Sequence, residues 1–196
     1  MHPRHPFQWL STSGQNRAFI LFFVLSILVM VGLQITGAPL RTDVSPKGII
    51  SFEFAGQLSL AQRMVESWGP KGQVYAGLNL GLDYLFLAAY ACAIALGCVL
   101  VARGLLQRFE FLSNVGIIIA RAQFLAALLD AVENYGLIQI LVGTNSEIWP
   151  AVAKWCAWPK FVIVGVGLVY VIIGAVLIAV LKGQKHTRNT SARPNP

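Results

Sequence analysis

The chain of 196 residues is poor in charge. Only 12% of its residues are Asp, Glu, Lys or Arg, against roughly 25% in soluble domains. Together with 56% hydrophobic residues, this deficit excludes an ordinary water-soluble globule and indicates an integral membrane protein. About four spans of roughly 20 residues each fit this length, and they leave no room for a second domain.

Cysteine and histidine are also scarce. The three cysteines form no CxxC pair, which argues against a thiol redox site. A histidine-ligated metal within the membrane is excluded because all three histidines lie in terminal segments, at His2, His5 and His186. GxSxG, HExxH, P-loop and dinucleotide-binding glycine motifs are absent. We therefore expect no metal and no cofactor, and no motif of a known enzyme class is present.

The net charge of +7 raises the possibility of nucleic-acid binding, which would require basic residues clustered on a polar surface. Instead, Lys and Arg stand at the ends of apolar runs, for example at Arg17, Arg103, Arg108 and Lys182. This distribution carries information on membrane topology. The expected partner is the lipid bilayer rather than nucleic acid, and the sequence carries no signal for an oligomeric state.

Four apolar runs predict an all-α fold, a four-transmembrane-helix antiparallel bundle, with spans at about 18–36, 74–101, 115–142 and 161–181. The first run could be a signal peptide, but Pro39 after the candidate cleavage site and the length of the run favour an uncleaved anchor. Basic residues near the span ends place both termini in the cytoplasm, in the plasma membrane. Residues 1–182 then form one membrane domain, and residues 183–196 a disordered basic cytoplasmic tail.

The first outer loop is too long for a plain connection and should contain structure. Residues 48–54 alternate between apolar and polar, which predicts a short extended segment. From Leu58 to Trp68 the spacing becomes helical, and Gly69-Pro70 should end this amphipathic helix. We expect the loop to cover the bundle as a lid, with partner docking or membrane sensing as the alternative.

Ionisable residues within the spans need an explanation, because a buried charge costs several kcal/mol unless it has partners or water. The third span places Asp130, Glu133 and Asn134 on one helical stripe, with Gln123 one heptad earlier. The second span places Asn79, Asp83 and Tyr90 within a similar arc, beside Gly77-x-x-x-Gly81, a spacing that allows close helix approach. We expect these two stripes to face each other.

At 1.5 Å per residue, Asp83 and Glu133 both lie roughly 13 Å from the outer ends of their helices. Lys160 could reach them from the fourth span, and Glu53 could enter from the first loop. Arg121 points to the opposite face of its helix, so it either extends to the inner headgroups or makes a separate interhelical contact. The sequence therefore predicts a carboxylate-rich cavity in the outer half of the bundle.

Acids, an amide and a lysine without histidine or thiol favour proton exchange or a cationic ligand. The candidate ligand-binding residues are Asp83, Asp130, Glu133, Asn134, Glu53, Lys160, Asn79 and Tyr90. Three interpretations stay open at this point. The cluster is structural glue between helices, or it binds a proton or small cationic ligand, or it belongs to an intramembrane enzyme with a lipid-soluble substrate.

The segments GIISFEFAG, GLDYLFLAAY and LLDAVENYGLIQIL resemble segments of a family of small four-span bacterial membrane proteins without an assigned activity. In span count and buried acids the chain is also similar to the sterol-isomerase and sigma-2 receptor group. In that group, acids in a membrane cavity hold a cationic species. The likeness is one of architecture, since the first span here has no acid and the intramembrane motifs do not align.

Overall fold

The computed structural model describes residues 5–191, with side chains through residue 183. Five helices follow one another: α1 (Thr12–Gly37), α2 (Ile49–Glu53), α3 (Leu58–Leu105), α4 (Glu110–Leu141) and α5 (Ile148–Ser191). A 3-10 turn, Ala38–Leu40, follows α1. Four of these helices are long and apolar enough to cross a membrane. The all-α, four-span prediction is confirmed.

Helix boundaries differ from the predicted spans in two places. Helix α3 begins at Leu58 because the amphipathic segment runs directly into the second span. Helix α5 begins at Ile148, and Pro159 lies inside it instead of preceding it. A proline removes one intrahelical hydrogen bond, a loss that neighbouring packing can offset in a membrane helix. The predicted tail, 183–196, lies mostly outside the described side chains and stays a prediction.

Helix α3 is the centre of the bundle. Two thirds (67%) of its most apolar stretch is buried, against 11% for α1 and for α5. It packs against α1, α4 and α5, while α4 also packs against α5. The consecutive helices α3, α4 and α5 are joined by short turns and run antiparallel, as neighbours with short connections must.

The glycine pair predicted to bring helices together, Gly77 and Gly81, does not do so. A Cβ at Gly81 would meet nothing within 4 Å, and one at Gly77 would meet only Leu141 at 3.9 Å. Close approach occurs at Gly116 instead, where a Cβ would overlap the ring of Tyr170. A small-residue spacing identifies a candidate contact face, but the neighbouring side chains decide whether it is used.

The prediction of an extended segment at 48–54 was wrong. Residues Ile49–Glu53 form the short helix α2, and Ile50, expected on the buried face, is 44% exposed. An isolated strand would leave its backbone groups unpaired, whereas a helical turn satisfies some of them internally. Phe52 is buried, at 1% exposure, as the alternation predicted. The alternation alone therefore did not distinguish a strand from a helical turn.

Residues 38–68 fold onto one end of the bundle, and we call them the lid. Leu58, Ala61 and Trp68 are buried, as the helical spacing predicted. The indole Nε1 of Trp68 donates hydrogen bonds to Leu40 O and Ser45 Oγ, both at 2.8 Å. An indole with satisfied N–H can be buried, because its polar edge is paired.

The lid ends at a sharp bend within α3. Gly69 has a φ of 61° and a ψ of 178°, a conformation that side-chain-bearing residues rarely adopt. Pro70 follows and begins the transmembrane part of α3, in agreement with the predicted stop. At the other end of the lid helix, the backbone N–H of Leu58 donates to Glu147 Oε2 at 3.2 Å, which links the lid to the connection between α4 and α5.

The bundle has two distinct ends. The loop end carries the lid and residues 142–147, and the terminal end carries residues 5–11 and 106–109. At the terminal end, Phe7 packs against Phe124 with ring centroids 6.0 Å apart. Arg103 Nη1 donates to Gln15 Oε1 at 3.0 Å, which joins α3 to α1. These two contacts connect the terminal segment and α1 to the rest of the bundle at this end.

Candidate functional site

Lys160 on α5 is the centre of an ion cluster within the bundle. Its Nζ lies 3.0 Å from Asp130 Oδ1 and 2.8 Å from Glu133 Oε2, both on α4. Glu53 Oε2 on α2 lies farther away, at 4.0 Å. The ammonium also lies 4.7 Å from the centre of the Phe161 ring. One cation is thus shared by three carboxyl groups that arrive from two different helices.

Asp130 has partners on both oxygens, because Tyr90 on α3 donates its hydroxyl to Asp130 Oδ2 at 2.9 Å. Asn134 on α4 donates to Asp83 Oδ2 on α3 at 2.6 Å. These two contacts join the polar stripes of α3 and α4 as the sequence predicted. A hydrogen bond that involves an ionised group is worth roughly twice a neutral one, so they fix the register of the two helices.

Asn79 lies away from the acids. Its Nδ2 donates to Leu33 O at 2.8 Å and to Thr36 Oγ1 at 2.7 Å, both on α1. Gln123, which the helical wheel placed on the same stripe as Asp130, donates instead to Ile163 O on α5 at 3.1 Å. Both amides therefore connect helices, a role that polar side chains commonly play in membrane bundles.

A cavity of about 470 Å³ adjoins the cluster, a size typical of small-molecule sites. Glu53, Asp83, Asp130 and Lys160 line its polar part, whereas Glu133 is fully buried behind them. Asn79, Tyr90 and Asn134 also line it. Seven of the eight predicted residues therefore line the cavity. The eighth, Glu133, does not line it but pairs with Lys160, which does.

Glu53 is the lid's contribution to this cavity. The residue is 9% exposed, and its Oε2 has no hydrogen-bond partner among the described residues. Burial raises the pKa of Glu53, although the charge of Lys160 lowers it in part. The two oxygens of Glu133 are buried as well, and neither has a partner of hydrogen-bond geometry within the described part of the chain. The cluster therefore has unused acceptor capacity.

Sequence reasoning missed much of the cavity wall. Phe23, Ile27 and Met30 of α1 and Val164 and Leu168 of α5 form its apolar part. Nothing distinguishes them from other lipid-facing residues in two uniformly apolar helices. Arg41 and Lys47 of the lid, both exposed, line the opening at the loop end. Arg121 is exposed on the other side of α4 and does not line this cavity.

Known proteins supply no parallel for this arrangement: no family model, curated protein or solved structure matches the chain at a significant level. In the described residues, no group of three or more His, Cys, Asp or Glu side chains has the geometry to hold a metal ion. The cation that lies among the acids is the ammonium of Lys160. The chemistry of the site must therefore be inferred from its own charges and shape.

Proposed function

We propose that this chain is a multi-pass membrane protein that binds a small cationic ligand in the cavity between α1, α3, α4 and α5. The observation that carries the proposal is the excess of carboxyl groups around one cation: Glu53, Asp130 and Glu133 lie within 4.0 Å of the ammonium of Lys160. Asp83 lines the same cavity, whose other cationic residues, Arg41 and Lys47, are exposed on the lid. Desolvation and mutual repulsion favour proton uptake by such a cluster. An incoming amine can replace that proton.

Asp83 and Glu53 are the carboxyl groups best placed to receive it. Asp83 is only half-buried, lines the cavity and has Asn134 as its one hydrogen-bonded side chain in the described residues. Glu53 lines the same cavity, and its Oε2 has no hydrogen-bond partner among the described residues. A cation between them gains charge-assisted hydrogen bonds, while Asp130 and Glu133 remain paired with Lys160. Binding should release a proton, since the bound amine substitutes for it.

The orientation of the bundle belongs to the proposal. Basic residues near the span ends support cytoplasmic termini in the plasma membrane, which would direct the loop end outward. Reporter fusions after residues 70, 108, 148 and 190 test this arrangement. A periplasmic signal at residue 108 or 190 would reverse it, and the binding proposal would stand with the cavity facing the other compartment.

The binding proposal is tested with decylammonium and decanol, which share a chain but differ in charge, on the full chain in phosphatidylcholine nanodiscs. Calorimetry in two buffers of different protonation enthalpy reports affinity and proton release together. We expect decylammonium to bind about tenfold tighter than decanol, or more, the equivalent of one charged hydrogen bond. Asp83→Asn should abolish the difference, and the matched substitution Asp43→Asn, on the exposed part of the lid, should preserve it.

Equal binding of decylammonium and decanol would contradict the proposal. If neither binds, and if Asp83→Asn and Glu133→Gln preserve or increase thermal stability, the cluster is structural glue between helices. An intramembrane enzyme is the second candidate, because the Tyr90 hydroxyl joins Asp130 at the cavity wall and gives a path for a proton. That function requires turnover of a lipid-soluble substrate that disappears in Asp130→Asn.

A further inference from the structure

Helices α1 and α5 form opposite walls of the cavity but do not close it. Helix α1 packs against α3, and α5 packs against α4 and α3, whereas the described parts of α1 and α5 share no extended contact. Both helices supply apolar residues to the cavity. The side of the cavity between them is therefore a gap that faces the lipid in a membrane-embedded bundle.

The exposure of the wall residues supports a lateral opening. Ile27 and Met30 on α1 are 47% and 43% exposed, and Phe161 and Leu168 on α5 are 45% and 46% exposed. All four line the cavity. Because the described parts of α1 and α5 share no extended contact, half-exposed lining residues on both helices agree with an opening between them.

The loop-end side of the cavity differs from the lateral gap in its charge. Arg41 and Lys47 line it and are exposed, so they repel a cation that approaches from water. Like charges at such a mouth disfavour entry, just as opposite charges favour it. The α1 side of the lateral gap carries no charged residue: its lining is apolar except for Ser26 and Gln34. A ligand with a positive head therefore meets a barrier from the water side and an uncharged, mainly apolar passage from the bilayer side.

The cavity also has the shape of an amphiphile. Its α1 wall extends from Phe23 to Gly37, roughly 21 Å at 1.5 Å per residue. Since the volume is only about 470 Å³, a space of this length is narrow. The acids lie towards the loop end, and Phe23, Ile94 and Leu168 line the far end. One narrow chain with one head fits this space.

We propose that the ligand is a single-chain amphiphile with an amine head, which enters from the bilayer through the gap between α1 and α5. Its head lies between Glu53 and Asp83, and its chain extends towards Leu168. This inference rests on the proposed function, since it names the class of cation and its route. Glu53 is buried beside the cavity, and its Oε2 lies 4.0 Å from Lys160 Nζ and has no hydrogen-bond partner among the described residues, which leaves an acceptor for the amine head.

The test uses Ile27→Trp, which fills the gap, and the matched control Leu21→Trp. Leu21 lies on the same helix, is 65% exposed and does not line the cavity. The affinity and the association rate of decylammonium and of ethylammonium, the head without the chain, are measured in the same nanodiscs. We expect Ile27→Trp to slow the association of decylammonium about tenfold or more and to leave that of ethylammonium unchanged, and Leu21→Trp to change neither rate. Partitioning into lipid is common to all variants and cancels in this comparison.

The outcomes separate the two proposals. If ethylammonium binds as tightly as decylammonium, and if Ile27→Trp changes neither the affinity nor the association rate of decylammonium, the lateral route is wrong and the binding site stands. If neither amine binds to the wild type, both proposals fail. A melting temperature of Ile27→Trp within a few degrees of wild type establishes that the fold is intact. Should that variant unfold, Leu168→Phe, on the opposite wall, provides the same test.

Discussion

Substitution of Lys160 by Met tests whether the cluster is charged. The change removes an ammonium that lies within 4.0 Å of three carboxyl groups. At an effective dielectric constant of 20, the attraction is about 6 kcal/mol at 2.8 Å and about 5.5 kcal/mol at 3.0 Å. Desolvation of the ions offsets much of it, and loss of one partner of a buried pair costs about 3–5 kcal/mol. We expect Lys160→Met to lower the free energy of unfolding by that amount at neutral pH.

The measurement is unfolding by sodium dodecyl sulfate in mixed micelles, with Lys154→Met as the control. Lys154 lies on the same helix and has no ion pair among the described residues, so its loss should cost less than about 1 kcal/mol. In Lys160→Met, Glu53 on the lid loses the positive charge that lowers its pKa, so the native state takes up a proton there. Its stability should therefore fall as pH rises, because the native state then binds more protons than the unfolded chain. A loss under about 1 kcal/mol that does not vary with pH would refute a charged cluster.

Three further predictions concern the lid and the helix contacts. Burial raises the pKa of Glu53 above its usual 4.5, so its contribution to stability falls as pH rises above that value. Glu53→Gln should therefore flatten the pH dependence of the melting temperature above about pH 4.5. Trp68→Phe removes a donor with two buried acceptors and should cost about 1–3 kcal/mol in denaturant unfolding, whereas full stability would mean that the lid is not held by this indole. Gly116→Ala, which would overlap Tyr170, should destabilise by about 1–3 kcal/mol. Gly81→Ala, in open space, should be neutral or stabilise by up to about 1 kcal/mol, and equal effects of the two would contradict the assigned contacts.

Much of the bundle could be predicted because its signals are local. Apolar run length fixes the spans, and a period of 3.6 residues placed Asp83, Asp130 and Asn134 on facing stripes before any contact was known. The bend at Gly69-Pro70 was also predictable, since that pair has few conformations available. In each of these cases a few neighbouring residues determine the outcome.

Predictions failed where distant partners decide the outcome. Residues 48–54 alternate between apolar and polar as a strand would, but residues 5–191 contain no strand with which they could pair, so the helix α2 forms. Gly77 and Gly81 have the spacing of a contact face, yet a Cβ at Gly77 would reach only Leu141, at 3.9 Å, and a Cβ at Gly81 would meet nothing within 4 Å. The gap between α1 and α5 had no signal at all, because lipid-facing and cavity-facing residues are equally apolar in a membrane protein.

The order of residues along the chain sets the charge of the protein during its synthesis. Glu53, Asp83, Asp130 and Glu133 all precede Lys160, the cation that pairs with them. After α3 and α4 have inserted into the membrane, the nascent chain thus carries these acids without their counterion, Lys160, until α5 inserts. Until then these acids must be held as protonated groups or kept near the membrane surface. Insertion of α5 is therefore the step that supplies the acids with their shared cation as well as the one that completes the walls of the cavity.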